Sequence, residues 1–530
     1  MKNPFELQAP NVSLKYITSP PSPLAMRPPA TPIAPEDKVP TFQKIMFSAG
    51  VNTDYVSTNL MMGVLWMPFF NIGLGMQPLT LGIILMIFRA WDAVTDPLVG
   101  NISDNARTRW GRRRPFMFVG AITTALLYPL FWYMPEIWGP TGRAVYLTVV
   151  GMVFFASFTT WSMPYYGLQL ELTPNYDERT RLAAWMTLFG KLSLLAGSWG
   201  LPIVLWLGSV ALAEPDALIG HGAWVDRLSQ WAQPWLNTLS GANADDQPII
   251  VGMRVACWLI ALCIMVLGLL PPLFVKERYY KVEASRQTKD SFLQGLKESL
   301  SCKPLWPLIF ISFFLVLGGS SVGALGQYVN FYYVNHGDLA AAAVIAGWKG
   351  TVVVVAGIAS VPFFIWLGEK WDKRSVVMTM IGSSMFGHLL NYFLMTPAHP
   401  YWQIIPGVFE SSTVAAVWLF LPSMKADVAD WDELQTNRRR EGGINAFYSW
   451  FIKASLTCSM GVGGLVLQLT GFDAKLDAQP QEALQRMFWI YLVLPIVIWG
   501  IALAFASAYP ITRQRAGDIR AQLEARRGRI

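Results

Sequence analysis

The chain has 530 residues, of which 53% are hydrophobic and only 14% charged, where soluble domains carry about a quarter charged residues. That balance excludes a water-soluble globular enzyme, a disordered chain and a collagen-like fibre. Four cysteines (Cys257, Cys263, Cys302 and Cys458) exclude a disulfide scaffold at this length.

The first 40 residues hold ten prolines and no apolar run, so a disordered Pro-rich tail is expected over 1–41, without a signal peptide. Beyond it, stretches without Asp, Glu, Lys or Arg recur: Pro115 to Pro135, Val255 to Val275, Pro304 to Gly337, Gly350 to Gly368, Ser375 to Phe409 and Met487 to Thr512. About 20 apolar residues cross a bilayer as a helix. With the runs interrupted by one ionisable residue, helices are expected near 45–71, 78–103, 115–134, 143–171, 182–212, 250–275, 305–334, 342–367, 375–396, 402–424, 442–470 and 486–509. The expected fold is therefore an all-α membrane protein of twelve transmembrane helices, because open strands are not viable in lipid and the runs lack barrel alternation. A polar stretch from about 213 to 249 is long for a connection between helices.

Lys and Arg are unevenly shared between the loops. Thirty-two lie on the side of the termini, six (Arg143, Arg227, Arg254, Lys349, Lys475 and Arg486) on the other, and Arg89, Lys191 and Lys453 within spans. The positive-inside rule places both termini and the 276–304 loop in the cytoplasm of an inner or plasma membrane protein. The net charge of +7 then reflects topology and contact with the lipid bilayer, and no nucleic-acid partner is expected.

The chain repeats internally. Pro164 to Arg181 after the fourth span parallels Pro422 to Arg440 after the tenth, and Ala184, Lys191 and Ser193 share the spacing of Ala446, Lys453 and Ser455. Two pseudo-symmetric six-helix bundles follow, over 42–275 and 305–509, joined by the linker 276–304 and ending in a basic tail over 510–530. This is the architecture of a major-facilitator-type transporter, with a site between the halves.

In the second span Arg89, Asp92 and Asp96 fall within about 60° of one another on one helix face. Charges in a span cost about 2.5–3.5 kcal/mol each on insertion scales and need pairing, an ion or water. Two carboxylates one turn apart repel unless a cation or a shared proton lies between them. A hard-oxygen site for Na⁺ or a protonatable pair follows; a structural Arg–Asp salt bridge with a spare carboxylate is the alternative. The next loop carries Gly100, Asp104, Arg107, Arg109, Gly111 and Arg112 before Pro115. Gly100 would allow close helix approach, and Asp104 would tie the arginines to a helix N-terminus at a gate.

Lys191 and Lys453, at repeat-related positions, are expected to pair with Asp54, Asp92 and Asp96 across the cavity. Trp161, Tyr165, Tyr166 and Trp418 could stack on a sugar ring or a choline head, or simply pack. Glu410 either joins the site or snorkels to the interface. Gly319 to Gly323 matches a nucleophile-elbow string, but in an apolar helix it reads as small-residue packing. No catalytic or multidentate metal motif is present, so an enzyme is not expected, and no cofactor beyond a coupling ion, Na⁺ or H⁺. An exporter of the same fold and a membrane-embedded sensor remain as alternatives.

The string Trp91-Asp92-Ala-Val-Thr-Asp96-Pro97 with Gly100, the Arg/Trp/Gly/Arg/Pro loop, Tyr176-Asp177-Glu178-Arg179, and Ala426 to Asp430 with Arg440-Glu441-Gly442 resemble the glycoside-pentoside-hexuronide:cation symporters, over residues 42–508. A vertebrate lysophosphatidylcholine symporter shares this pattern, so the resemblance does not define the substrate. It implies cation binding by Asp92, Asp96 and Thr159 with Lys453 facing them, and sugar binding by Asp54, Trp418 and, by a one-residue shift, Lys191; Tyr166 is a further candidate. Asp177, Arg179 and Arg181 join the gate motif. Ser162 stands where the family's type member has an aspartate, two residues before Pro164. The implied function is symport of a sugar or glycoside with a monovalent cation by a monomer, or of a lysolipid by the same fold.

Overall fold

A computed structural model describes residues 38–134, 138–173, 176–213, 223–241, 246–277, 300–436, 441–474, 476 and 478–527. The expected tail over 1–41 and linker over 276–304 fall mostly outside these residues.

Among the described residues nine helices are long and apolar enough to cross a membrane: Pro78–Asn105, Arg114–Phe131, Pro140–Gln169, Pro248–Phe274, Leu305–Val334, Leu339–Lys370, Pro400–Thr436, Gly443–Leu469 and Gln481–Ser507. A tenth, Arg181–Ser198 with Gly200–Leu212, is bent by 41°. Thr41 to Gly73, helical in four pieces, and Lys373–Leu394 complete an order consistent with twelve spans. Pro78, Pro140 and Pro248 open their helices, where the missing N–H costs no hydrogen bond.

The pseudo-repeat is visible in the backbone. The first and seventh spans both widen into π turns towards their second ends, at Tyr55–Leu65 and Val329–Val334. Both are followed by a glycine in the left-handed region, Gly75 at φ 64° and Gly337 at φ 90°. One apolar core fills the first half and the outer end between the halves; a second fills the distal part of the other half.

Contacts between the halves gather at the face opposite the termini. Second and eleventh spans cross there on glycines: a Cβ at Gly82 would lie 2.8 Å from the Met460 carbonyl oxygen, and one at Gly464 would lie 2.5 Å from that of Pro78. Small residues let backbones approach in this way. Fifth and eighth spans meet where the Trp199 indole donates to Thr351 Oγ1 at 3.1 Å. First and seventh meet where the Tyr328 hydroxyl donates to Asn71 Oδ1 at 2.7 Å. On the terminal face the described ion pairs stay within one half, so the molecule is closed at one face and parted at the other.

Several expectations change. The Tyr176 segment and residues 425–436, expected as loops, continue the helices Tyr176–Ser198 and Leu421–Thr436, because neither contains a helix-breaking residue. The 213–249 stretch contains a helix, Ala223–Ser240, whose Trp224, Trp231 and Trp235 share one exposed face. Arg513–Arg527, within the expected basic tail, is a helix that buries Ile519 and Leu523 against residues near Met424 and Val428. Lys349, grouped above with the external loop residues, lies inside Leu339–Lys370.

Candidate functional site

The second span meets the fourth and eleventh around its ionisable trio. Arg89 Nη1 lies 3.3 Å from Asp92 Oδ2, while Asp92 Oδ1 is buried without a hydrogen-bond partner. Thr159, from the fourth span, donates to Asp96 Oδ1 at 3.3 Å, and the Thr95 and Thr159 hydroxyls lie 3.3 Å apart. Lys453 crosses from the other half to form an ion pair with Asp96 Oδ2. Side-chain oxygens of Asp92, Thr95, Asp96 and Thr159 thus gather where the second and fourth spans meet, with Arg89 paired to Asp92 and the Lys453 ammonium to Asp96. Thr95 escaped notice in the sequence, although Asp92, Thr95 and Asp96 are neighbours on one helical turn. The unpartnered Asp92 Oδ1 fits a site that can accept a cation, since an isolated buried carboxylate oxygen is costly.

Asp54 forms a separate cluster. The Tyr166 hydroxyl donates to Asp54 Oδ2 at 2.5 Å and Thr58 Oγ1 donates to Oδ1 at 3.1 Å. Lys191 is half-buried, and no ion pair among the described residues joins it to Asp54. The expected cross-cavity pairing is therefore realised by Lys453 and not by Lys191. Trp418 sits in a π turn, Ala416–Phe420, with 76% of its surface exposed, apart from Asp54 and Tyr166 in this conformation. Trp161 and Tyr165 are fully buried and stacked with centroids 4.7 Å apart; their polar atoms donate to the Gly268 and Phe47 carbonyls at 2.9 and 2.8 Å. Packing consumes both rings, leaving no face for a ligand.

The loop after the second span is tied to the first half by acids. Asp104 Oδ1 lies 2.8 Å from Arg113 Nη2, and Arg112 donates to the Asp104 carbonyl at 3.2 Å. Glu171 pairs with both Arg112 and Arg113. Glu277 accepts the main-chain N–H groups of Arg112, Arg113 and Arg114 at 2.8, 2.8 and 3.0 Å, capping the helix that follows. Gly111 at φ 116° is required there, since a Cβ would lie 2.7 Å from Glu277 Oε1. Gly100 departs from its expected role: a Cβ there would meet nothing within 4 Å, because the terminal ends of the halves are parted. Arg107 and Arg109 are exposed. Arg179 donates to the Thr173 carbonyl at 2.7 Å, and Arg181 lies 3.7 Å from Glu178. The Asp177 side chain and Arg440 lie outside the described residues. The second half has its own ion pair, Lys373 to Asp427 at 2.7 Å. Glu171 and Glu277 were not singled out as partners, because each is a single acid some 60 and 165 positions from the arginines it serves.

Glu410 does not snorkel. Its side chain is 11% exposed and lies 3.2 Å from Lys349 Nζ, beside a cavity of about 390 Å³ between the halves.

An all-helical membrane protein of two related bundles, with an ion-paired cluster bridging them, is a transporter of the major facilitator class. The chain matches the family described as MFS/sugar transport protein over residues 46–513, and it belongs to that family. It is 29% identical to an uncharacterised symporter of Synechocystis, covering 91% of this chain and 96% of the relative. It is 25% identical to zebrafish sodium-dependent lysophosphatidylcholine symporter 1-B, covering 85% and 84%, and 25% identical to the putative glycoside/cation symporter YagG of Escherichia coli, covering 86% and 89%. Among solved structures, a bacterial homologue of the human lysosomal transporter Spinster, inward-facing and unoccupied, has a TM-score of 0.59 at 12% identity, covering 88% of this chain and 97% of that one. That likeness concerns the fold.

Proposed function

We propose that this protein is a cation-coupled secondary active transporter that symports a sugar or glycoside with Na⁺ or H⁺ by alternating access, acting as a monomeric carrier and not as an enzyme. The observation that carries the reading is the Lys453 to Asp96 ion pair, which joins a carboxylate pair of one half to a cation of the other. A monovalent cation would be held by Asp92, Asp96, Thr95 and Thr159, and would neutralise the pair when Lys453 withdraws; the lysine would then replace the ion during return of the empty carrier. Asp54, with Tyr166 and Lys191, supplies acceptors and donors suited to hydroxyl groups, and Trp418 would close on the ring when the halves move.

The excess of Lys and Arg on the terminal side orients both termini to the cytoplasm of an inner or plasma membrane, so the conformation described is inward-open. In the parted state Gly100, Arg107, Arg109 and the Asp104 cluster are held in one half, ready to meet the other when the face closes.

A lysolipid or other amphiphile is the second reading. It is favoured by an apolar groove of about 420 Å³ between the first, fifth and sixth spans, lined by Val56, Leu60, Ile203, Leu207 and Leu259, as well as by the lysophosphatidylcholine symporters among the relatives. Uptake into proteoliposomes under imposed Na⁺ or H⁺ gradients, with a panel of sugars, glycosides, uronates and lysophosphatidylcholine, tests both. Gradient-driven accumulation of a carbohydrate is the expected result. Accumulation of lysophosphatidylcholine alone would overturn the carbohydrate assignment, and accumulation of nothing under either gradient would overturn symport.

A further inference from the structure

Five residues from four spans meet in the second half, far from Asp92 and Asp96 in the chain. Glu410 Oε2 lies 3.2 Å from Lys349 Nζ, and Oε1 accepts from Asn391 Nδ2 at 3.2 Å. His388, with no exposed surface, places Nδ1 3.3 Å from the same Oε1 and Nε2 2.9 Å from the Tyr491 main-chain oxygen. Lys349 and Glu410 line the cavity of about 390 Å³ between the halves, with Tyr55, Gln327, Asn330 and Gln403.

The hydrogen bonds assign the imidazole. A carbonyl oxygen only accepts, so Nε2 carries a hydrogen, and Nδ1 is the nitrogen left to accept a further proton. An unprotonated Nδ1 would point its lone pair at a carboxylate oxygen 3.3 Å away, which is unfavourable in an apolar interior unless a donor intervenes. Two arrangements satisfy this gap. Either a proton lies between Nδ1 and Oε1, or the Asn391 amide, 3.4 Å from Nδ1, bridges the two acceptors. The groups facing Glu410 are Lys349 from the eighth span, His388 and Asn391 from the ninth and Tyr491 from the twelfth. Tyr55 is the titratable residue that the first half contributes to the cavity wall. A structural salt bridge between Lys349 and Glu410 would need neither His388 nor Asn391.

We infer that His388 and Glu410 form a second ion site of this transporter, one that binds a single proton taken from the interdomain cavity. The proton passes from cavity water to Glu410 and comes to rest on Nδ1, giving an imidazolium against a carboxylate; release is the reverse, with Asn391 closing the gap. Loading leaves Lys349 as the net positive charge beside the cavity, so the loaded form favours ligands that accept hydrogen bonds or carry negative charge. The site goes beyond the Asp92 and Asp96 reading and does not depend on it.

Histidine ¹⁵N NMR of the full-length protein in lipid nanodiscs tests this without substrate or gradient, so its outcome is independent of which solute is carried. The His388 signal is identified by its loss in H388Q, and exposed His336 and His399 serve as internal controls. The His388 Nδ1 signal is expected to change between its protonated and unprotonated forms as the pH is varied, while Nε2 stays protonated. In E410Q it should bind its proton at least about ten-fold more weakly, and in K349M at least about ten-fold more tightly, since each variant removes one neighbouring charge. A His388 signal that does not titrate, or that titrates equally in wild type and E410Q, overturns the assignment. Where E410Q is not recovered folded, an unchanged affinity in K349M does the same.

Discussion

Substituting Gly464 by alanine should open the face that is closed in this structure. The added Cβ would lie 2.5 Å from the Pro78 carbonyl oxygen and 3.3 Å from the Gly82 Cα, well inside ordinary contact with main-chain atoms that no side-chain rotation can move. Overpacking of this kind costs about 1–3 kcal/mol, and the cost falls only on the conformer in which the second and eleventh spans touch. At about 1.4 kcal/mol per factor of ten, the population ratio shifts by roughly 5- to 150-fold towards a form open at that face. The alanine also favours the helix by about 0.5–1 kcal/mol, but in both conformers, so this gain cancels. Electron–electron resonance distances between spin labels at Thr141 and Asp473, which lie on opposite halves beside a shared cavity at that face, report the ratio. Wild type should give mainly the short distance and Gly464→Ala a dominant longer one. Gly500→Ala, where a Cβ meets nothing within 4 Å, should match wild type. A Gly464→Ala distribution unchanged from wild type would refute the claim that these glycines hold the face closed.

Neutralising Asp92 or Asp96 to asparagine should abolish accumulation against a gradient while leaving downhill exchange, because the solute site proposed around Asp54 is distinct from the proposed ion site; full gradient-driven uptake by either variant would remove that carboxylate from the ion site. Lys453→Ala should reach the membrane, as the side chain is 48% exposed, yet lose ion dependence; a variant as ion-dependent as wild type would make the lysine structural. Glu277→Ala strips the acceptor from three main-chain N–H groups and should destabilise the first half by about 1–3 kcal/mol. A melting temperature equal to wild type would show that water replaces the carboxylate without cost.

Spans were legible in the sequence because the bilayer demands about 20 apolar residues per crossing whatever the neighbours are. The ninth, Lys373–Leu394, was readable from its lack of acids even though Ser383, Ser384, His388 and Asn391 dilute its hydropathy. Helix ends were less legible, and Tyr176 to Arg181 and Lys425 to Thr436 passed for loops since charge at a span end suits a loop and a solvated helical turn alike. The ion cluster was half legible. Arg89, Asp92 and Asp96 share a face through local periodicity, while the choice of Lys453 over Lys191 as partner depends on how two bundles sit against each other.

Composition, periodicity and the repeat thus determined the all-helical membrane fold, the two bundles and the carboxylate pair, since each follows from interactions within a turn of helix or between a helix and lipid. The tertiary structure alone decided which face is closed, that Gly82 and Gly464 rather than Gly100 make the close contact, that Glu171 and Glu277 hold the arginine loop, and that Glu410 meets Lys349 and His388. Those pairings join residues from about 20 to 380 positions apart, and no local rule encodes the packing of one helix against another that brings them together.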